Sequence, residues 1–230
     1  MTSNQVTHSP FPFSILFVCL FIVVSTSFAQ TPPLPTLNPA EGQEIGWHFE
    51  SFLSPHQEPD EEENTPKLTP PVFKSTTASL SRAEREANGH RGHGILRFTK
   101  DLSKLYVDVS IEGIDIENIN MFHIHCGRPG ILGPILVDFS LVTDIQENFS
   151  DGVFSVEVTN DAITETANHG KGLVAAFTAG CAIPNPIPSK VSTVAGIFDI
   201  AQQGELYFNL HTTGQTFYGD IRGQIHQVRP

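Results

Sequence analysis

Strict alternation of apolar and polar residues is the feature that most narrows what this chain can become. In Leu105-Tyr106-Val107-Asp108-Val109-Ser110-Ile111 aliphatic side chains recur at every second position, and a period of two puts them on one face of a strand. Ile95-Leu96-Arg97-Phe98 precedes this run across Thr99-Lys100-Asp101-Leu102-Ser103-Lys104, which has the composition of a hairpin loop. Further strands are expected around Met121 to His125, Pro134 to Phe139, Val153 to Val158, Leu173 to Thr178, Glu205 to His211 and Tyr218 to Ile225. Ser192 to Gln203 departs from the pattern. Val194, Ile197, Phe198 and Ala201 stand there at helical spacing before Gly204, so a short helix is expected. The expected fold is all-β, an antiparallel sandwich or barrel with that one short helix.

The alternation begins only near Val72, and residues 73–228 are expected to form the domain. Residues 31–72 carry nine prolines, eight acidic residues and one lysine, including Glu58-Pro59-Asp60-Glu61-Glu62-Glu63. Such a composition buries too little apolar surface to offset its ordering entropy. Residues 30–72 are therefore expected to be an acidic, Pro-rich and mostly disordered linker. Within it Trp47, the only tryptophan, lies in an aromatic island that docks either on a partner or on the neighbouring domain. Before it, Phe11 to Val24 is almost unbroken apolar sequence of 14 residues, short for a bilayer span and suited to the core of a signal peptide. Ser27 and Ala29 supply the small residues of a cleavage site, so residues 1–29 are expected to be removed and the mature chain to start at Gln30. The segment before the apolar run lacks Lys and Arg, and a buried core helix is the alternative.

Export frames the remaining features. Cys19 would leave with the signal, and Cys126 and Cys181 would remain, either as a disulfide or as two buried thiols. Asn148-Phe149-Ser150 is a glycosylation sequon. No later apolar run is long enough to cross a membrane, so no span is expected after signal removal. A net charge of −12 speaks against nucleic acid as a partner. The sequence holds no nucleophile elbow, no phosphate-binding glycine loop and no H-E-x-x-H. A catalytic role would have to come from the histidines.

Strand parity gathers three of these. In Phe122-His123-Ile124-His125-Cys126 the two histidines share a face with Met121, opposite Phe122, Ile124 and Cys126; in Leu206-Tyr207-Phe208-Asn209-Leu210-His211, His211 shares a face with Tyr207 and Asn209. Neutral imidazoles from His123, His125 and His211, with His90, His93 or His226 as candidates to complete the set, would suit Zn²⁺ or Cu²⁺. The structural alternative is a hydrogen-bonded cluster of His123, His125, Asn209 and His211 with Asp220 or Arg222. His90 and His93, three apart among glycines, are expected in a mobile loop.

The segments FHIHCGRPGILGPILVDF, GELYFNLHT and YGDIRGQI together resemble the chordin-type (CHRD) domain. His123, Ile124, His125, Gly127, Gly133 and Pro134 fit its first motif; Tyr207, Asn209, His211 and Thr212 its second; and Gly219, Ile221, Arg222, Gly223 and Gln224 its third, with Asp220 in place of a glutamate. The resemblance covers roughly residues 73–228, and the chain departs from it over 81–94 and by extra length over 144–185. It implies an immunoglobulin-like domain in a secreted protein. It does not imply growth-factor antagonism, for which chordin carries separate cysteine-rich modules. The expected function is a non-catalytic extracellular binding or structural module, its partner an unknown extracellular protein or a matrix or wall component. The alternative is a divalent-metal protein holding Zn or Cu, since FHIHCG also resembles the ligand strand of copper-zinc superoxide dismutase, whose remaining ligands find no match here.

Overall fold

A computed structural model describes residues 42–169 and 191–228 of the chain. Its strands are β1 (Ile45–Leu53), β2 (Arg91–Thr99), β3 (Lys104–Glu112), β4 (Ile119–Cys126), β5 (Ile135–Asp138), β6 (Val153–Thr159), β7 (Leu206–Thr212), β8 (Ile221–Gln224) and β9 (His226–Gln227). They pair antiparallel, in the order β6-β3-β2-β1-β9 in one sheet and β5-β4-β7-β8 in the other. Short α-helices connect them: α1 (Glu61–Asn64), α2 (Arg82–Ala87), α3 (Ile145–Asn148), α4 (Asn160–Asn168) and α5 (Val194–Gln202). The architecture is the all-β sandwich that the alternation specifies.

The core lies between the sheets, where strand parity puts it. Leu105, Val107, Val109 and Ile111 of β3 face Phe122, Ile124 and Cys126 of β4 and Leu206, Phe208 and Leu210 of β7, all buried. Phe122 contacts Phe208 within its own sheet (ring centroids 5.6 Å apart) and Phe154 of the facing sheet (5.2 Å). Gly94 lets the sheets approach this closely, since a Cβ there would lie 2.7 Å from the Phe208 ring. Helix α5 forms where its apolar spacing predicts it. The Thr193 hydroxyl accepts from the Gly196 amide at its N-terminus, and Gly204 turns the chain at φ +70° beyond its end.

The N-terminal region corrects the expectation of a mostly disordered linker up to residue 72. Strand β1 is an interior strand, paired with β2 along its length and with β9 on its other edge. Its sequence IGWHFESFL has its own period of two, with Phe49, Ser51 and Leu53 buried. The prolines and most acids of residues 31–72 lie outside these nine positions, so a composition average hides a good strand. Trp47 docks on its own domain, its ring 4.5 Å from that of Phe198 in α5.

Residues 54–80 then cross the four-stranded sheet on the face away from the core. Ser54 bridges to Arg222, Gln57 accepts from the Gln224 amide (3.0 Å), and the Glu61 carboxylate accepts from the amides of Phe217 (2.8 Å) and Tyr218 (3.0 Å). Every residue of β7 and β8 is consequently buried. The side of β4 and β7 that bears the histidines is a second, covered interior face. The expected strand over residues 173–178 lies outside the described residues.

Candidate functional site

Strands β4 and β7 bring His123, His125 and His211 together. The register sets Met121 opposite His211, His123 opposite Asn209 and His125 opposite Tyr207. Same-face positions on paired strands then put the three rings within contact: centroids are 5.2 Å apart for His123 and His125, 5.1 Å for His123 and His211, and 6.3 Å for His125 and His211. All three are buried, and one nitrogen from each lies within 4.8 Å of the other two.

Hydrogen bonds assign the tautomers of two rings. His125 Nδ1 is 2.8 Å from the Gly133 carbonyl and His211 Nδ1 is 3.0 Å from the Thr216 carbonyl. A carbonyl only accepts, so each Nδ1 carries the proton and each Nε2 keeps a lone pair. His123 Nε2 stands 3.8 Å from an Asp138 carboxylate oxygen. The nitrogens left without a protein partner are His123 Nδ1, His125 Nε2 and His211 Nε2, all buried. Burial is the main cause that lowers the three pKa values, to about 3 for His125 and about 4 for His211, and His123 falls well below its usual range with its two neighbours adding to the effect. The rings are therefore neutral near pH 7, the form in which imidazole ligates a metal. A cavity of about 70 Å³ adjoins them, walled by Phe73, Met121, Leu132, Ile135 and Phe217 among others.

Neither Asp220 nor Arg222 joins this cluster. Asp220 accepts from the Thr212 hydroxyl (3.0 Å) and pairs with His90 Nδ1 (2.6 Å), while the buried Arg85 guanidinium donates to its carbonyl. Arg222 lies over the Tyr207 ring, 3.4 Å from its centroid, and donates to the carbonyls of Ile131 (3.1 Å) and Arg128 (2.9 Å). The expected cluster with Asp220 or Arg222 is therefore not formed, and His125 and His211 bond backbone carbonyls instead. His90 and His93, expected in a mobile loop, are placed instead against Asp220 and, within β2, against Glu50 at 2.7 Å. His226 is exposed in β9. None of the three completes the cluster.

The remaining motif residues shape the loop after β4. Gly133 donates to Tyr207 Oη (3.0 Å), Cys126 donates to the Pro134 carbonyl (3.0 Å), and Gln224 Nε2 donates to the carbonyls of Gly127 and Gly204 (2.8 Å each). Gly133 has no alternative, because a Cβ there would sit 1.5 Å from the Cys126 carbonyl oxygen. Gly219 holds φ +112°, beside the Asn209 amide that donates to the Tyr218 carbonyl, and Gly223 packs against Ser51 and Leu53.

These are the positions on which the family resemblance rests, and a model of the CHRD domain matches residues 76–225. The chain belongs to the CHRD-domain family. No curated protein and no solved structure matches it. Among the described residues of this CHRD-domain protein, no helix is long and apolar enough to cross a membrane. Cys126 is buried, whereas Cys181, Ala29 and Gln30 lie outside the described residues. Asn148 ends α3 with its side-chain amide bonded to the backbone of Ser155 on both its nitrogen (3.2 Å) and its oxygen (2.8 Å). Sequence reasoning missed the buried Glu58, Glu61 and Arg85 and the His90–Asp220 pair. No local signal marks them, because their partners lie up to 156 residues away.

Proposed function

We propose that this CHRD-domain protein is exported and works outside the cell as a non-catalytic binding or structural module for an extracellular protein or a matrix or wall component. The match of the CHRD model over residues 76–225 carries this reading, since the family is of the extracellular binding type. The apolar run before Gln30, the Cys126 and Cys181 pair and the Asn148 sequon support export. An apolar rim supports binding: Leu68, Val72 and Ile131 are 95%, 72% and 54% exposed. Phe73 and Leu132 share one cavity, so the segment bearing Leu68 and Val72 lies beside the loop bearing Ile131.

Expression of the full chain in a eukaryotic host tests it. The expected product is found in the medium, begins at Gln30, and loses mass on deglycosylation unless Asn148 is replaced by Gln. Retention inside the cell with Met1 intact would end the proposal. Retention on isolated matrix or wall material should fall for Leu68→Asp/Val72→Asp. A second reading, a metal protein, rests on a separate observation: the three buried imidazole nitrogens that no protein group satisfies.

A further inference from the structure

The metal reading fixes the three ligands but not the ion. Resting on that reading, we propose that His123, His125 and His211 form a trigonal site, with Met121 as a weak additional donor, selective for monovalent copper, Cu(I), over the divalent ions that histidine ligands alone would suggest. The donor set and its surroundings point the same way.

Every donor is neutral. The acceptors at Gly133 and Thr216 hold the Nδ1 protons of His125 and His211, so these rings offer Nε2 lone pairs and no charge. The nearest carboxylate, Asp138, faces His123 Nε2 at 3.8 Å, whereas the nitrogen of that ring without a protein partner is Nδ1. None of the donors is anionic, so an ion held here is offset at most by the Asp138 carboxylate behind the His123 ring and keeps most of its charge inside walls formed by Phe73, Met121, Leu132, Ile135 and Phe217. The cost of moving an ion from water into such surroundings grows with the square of its charge, so a divalent ion is penalised about fourfold over a monovalent one. Zn²⁺ would take a water as its fourth ligand, which the apolar walls of this cavity leave without hydrogen-bond partners, and Cu²⁺ would need a tetragonal set of N and O donors. Cu(I) is satisfied by three imidazoles in a plane.

Met121 adds a second, independent argument. It stands opposite His211 in the β4–β7 register, on the same face as His123 and His125, and lines the same cavity. A thioether is a soft donor that favours Cu(I). With bonds of about 2.0 Å, a trigonal site sets its nitrogens about 3.5 Å apart. The present span of up to 4.8 Å closes by about 1 Å as the rings turn inward on binding.

The test uses the full-length secreted protein. Cu(I) is titrated without oxygen against bicinchoninate, and Zn²⁺ and Cu²⁺ are each titrated in air against 4-(2-pyridylazo)resorcinol. The expected result is one Cu(I) per chain, Zn²⁺ about a hundredfold weaker, and bound copper that stays silent in electron paramagnetic resonance on exposure to air. His125→Ala and His211→Ala should abolish the site, with circular dichroism to show that they fold. Met121→Leu, which nearly conserves side-chain volume beside the cavity, should weaken Cu(I) about tenfold without touching Zn²⁺, and the exposed His226→Ala should change nothing. One equivalent of Zn²⁺ or Cu²⁺ bound as tightly as Cu(I) would sink the selectivity and leave the metal reading standing. Failure of all three ions to bind would sink both.

Discussion

Glu58 shows how far a single residue can depart from what its neighbours suggest. It opens the acidic run of the sequence, yet it is 2% exposed, neither carboxylate oxygen has a hydrogen-bond partner, and its nearest cation is Arg222 at 3.9 Å. Burial pushes its pKa up to about 8, against the opposing fields of Arg222 and Arg85. The folded value stands above the unfolded one, so the contribution of this group is complete below about pH 4.5 and is lost as pH rises toward about 8. Between those limits stability should fall by at most about 1.4 kcal/mol per pH unit. Glu58→Gln should remove that slope, and urea unfolding of both proteins at about pH 5 and about pH 8 checks it. Equal pH dependence in the two proteins would mean that the carboxyl titrates normally. Gly219 makes a second prediction at this scale. It holds φ +112°, and a Cβ would come 2.0 Å from the Asn209 side-chain oxygen. Gly219→Ala should cost more than about 2 kcal/mol, read as a lower urea midpoint with an unchanged slope.

At the scale of elements, legibility followed the range of the forces involved. The β2–β3 hairpin, the inward parity of β4 and β7 and the helix ending at Gly204 were all readable, because pleat, helical pitch and turn chemistry act within a few residues. Strand β1 was not, although IGWHFESFL alternates as cleanly as the others. Its flanks Glu41-Gly42-Gln43-Glu44 and Ser54-Pro55-His56-Gln57-Glu58-Pro59 dominate any wider window. The consequence is testable. A chain starting at Gly42 should melt cooperatively, whereas one starting at Phe73, where the composition changes, should not. A cooperative transition in the shorter chain would show β1 to be dispensable. Phe49→Ala, which removes a wholly buried ring packed on Phe98, should cost about 3–5 kcal/mol by thermal or urea unfolding.

For the whole molecule, stability and site depend on joining distant segments. The proposed Cys126–Cys181 bond would close a loop of 55 residues, worth about 4 kcal/mol in the chain-entropy picture. Cys181→Ala should lower the melting temperature accordingly and leave one titratable thiol in the mature chain, while two free thiols in the wild type would refute the pairing. The sequence alone determined that this is a β-sandwich of the CHRD family and that His123, His125 and His211 leave the core side of their strands. Those are consequences of a two-residue repeat and of short motifs, and both are local. Only the tertiary structure decided that the face they leave for is itself an interior. Residues 54–80 cover it, and Glu61 binds backbone amides 156 residues further on. The same folding decided that Asp220 belongs to His90, 130 residues away, and not to the histidine cluster. Contacts across such separations depend on how sheets stack and where a connecting segment lies, and no periodicity in the sequence encodes that.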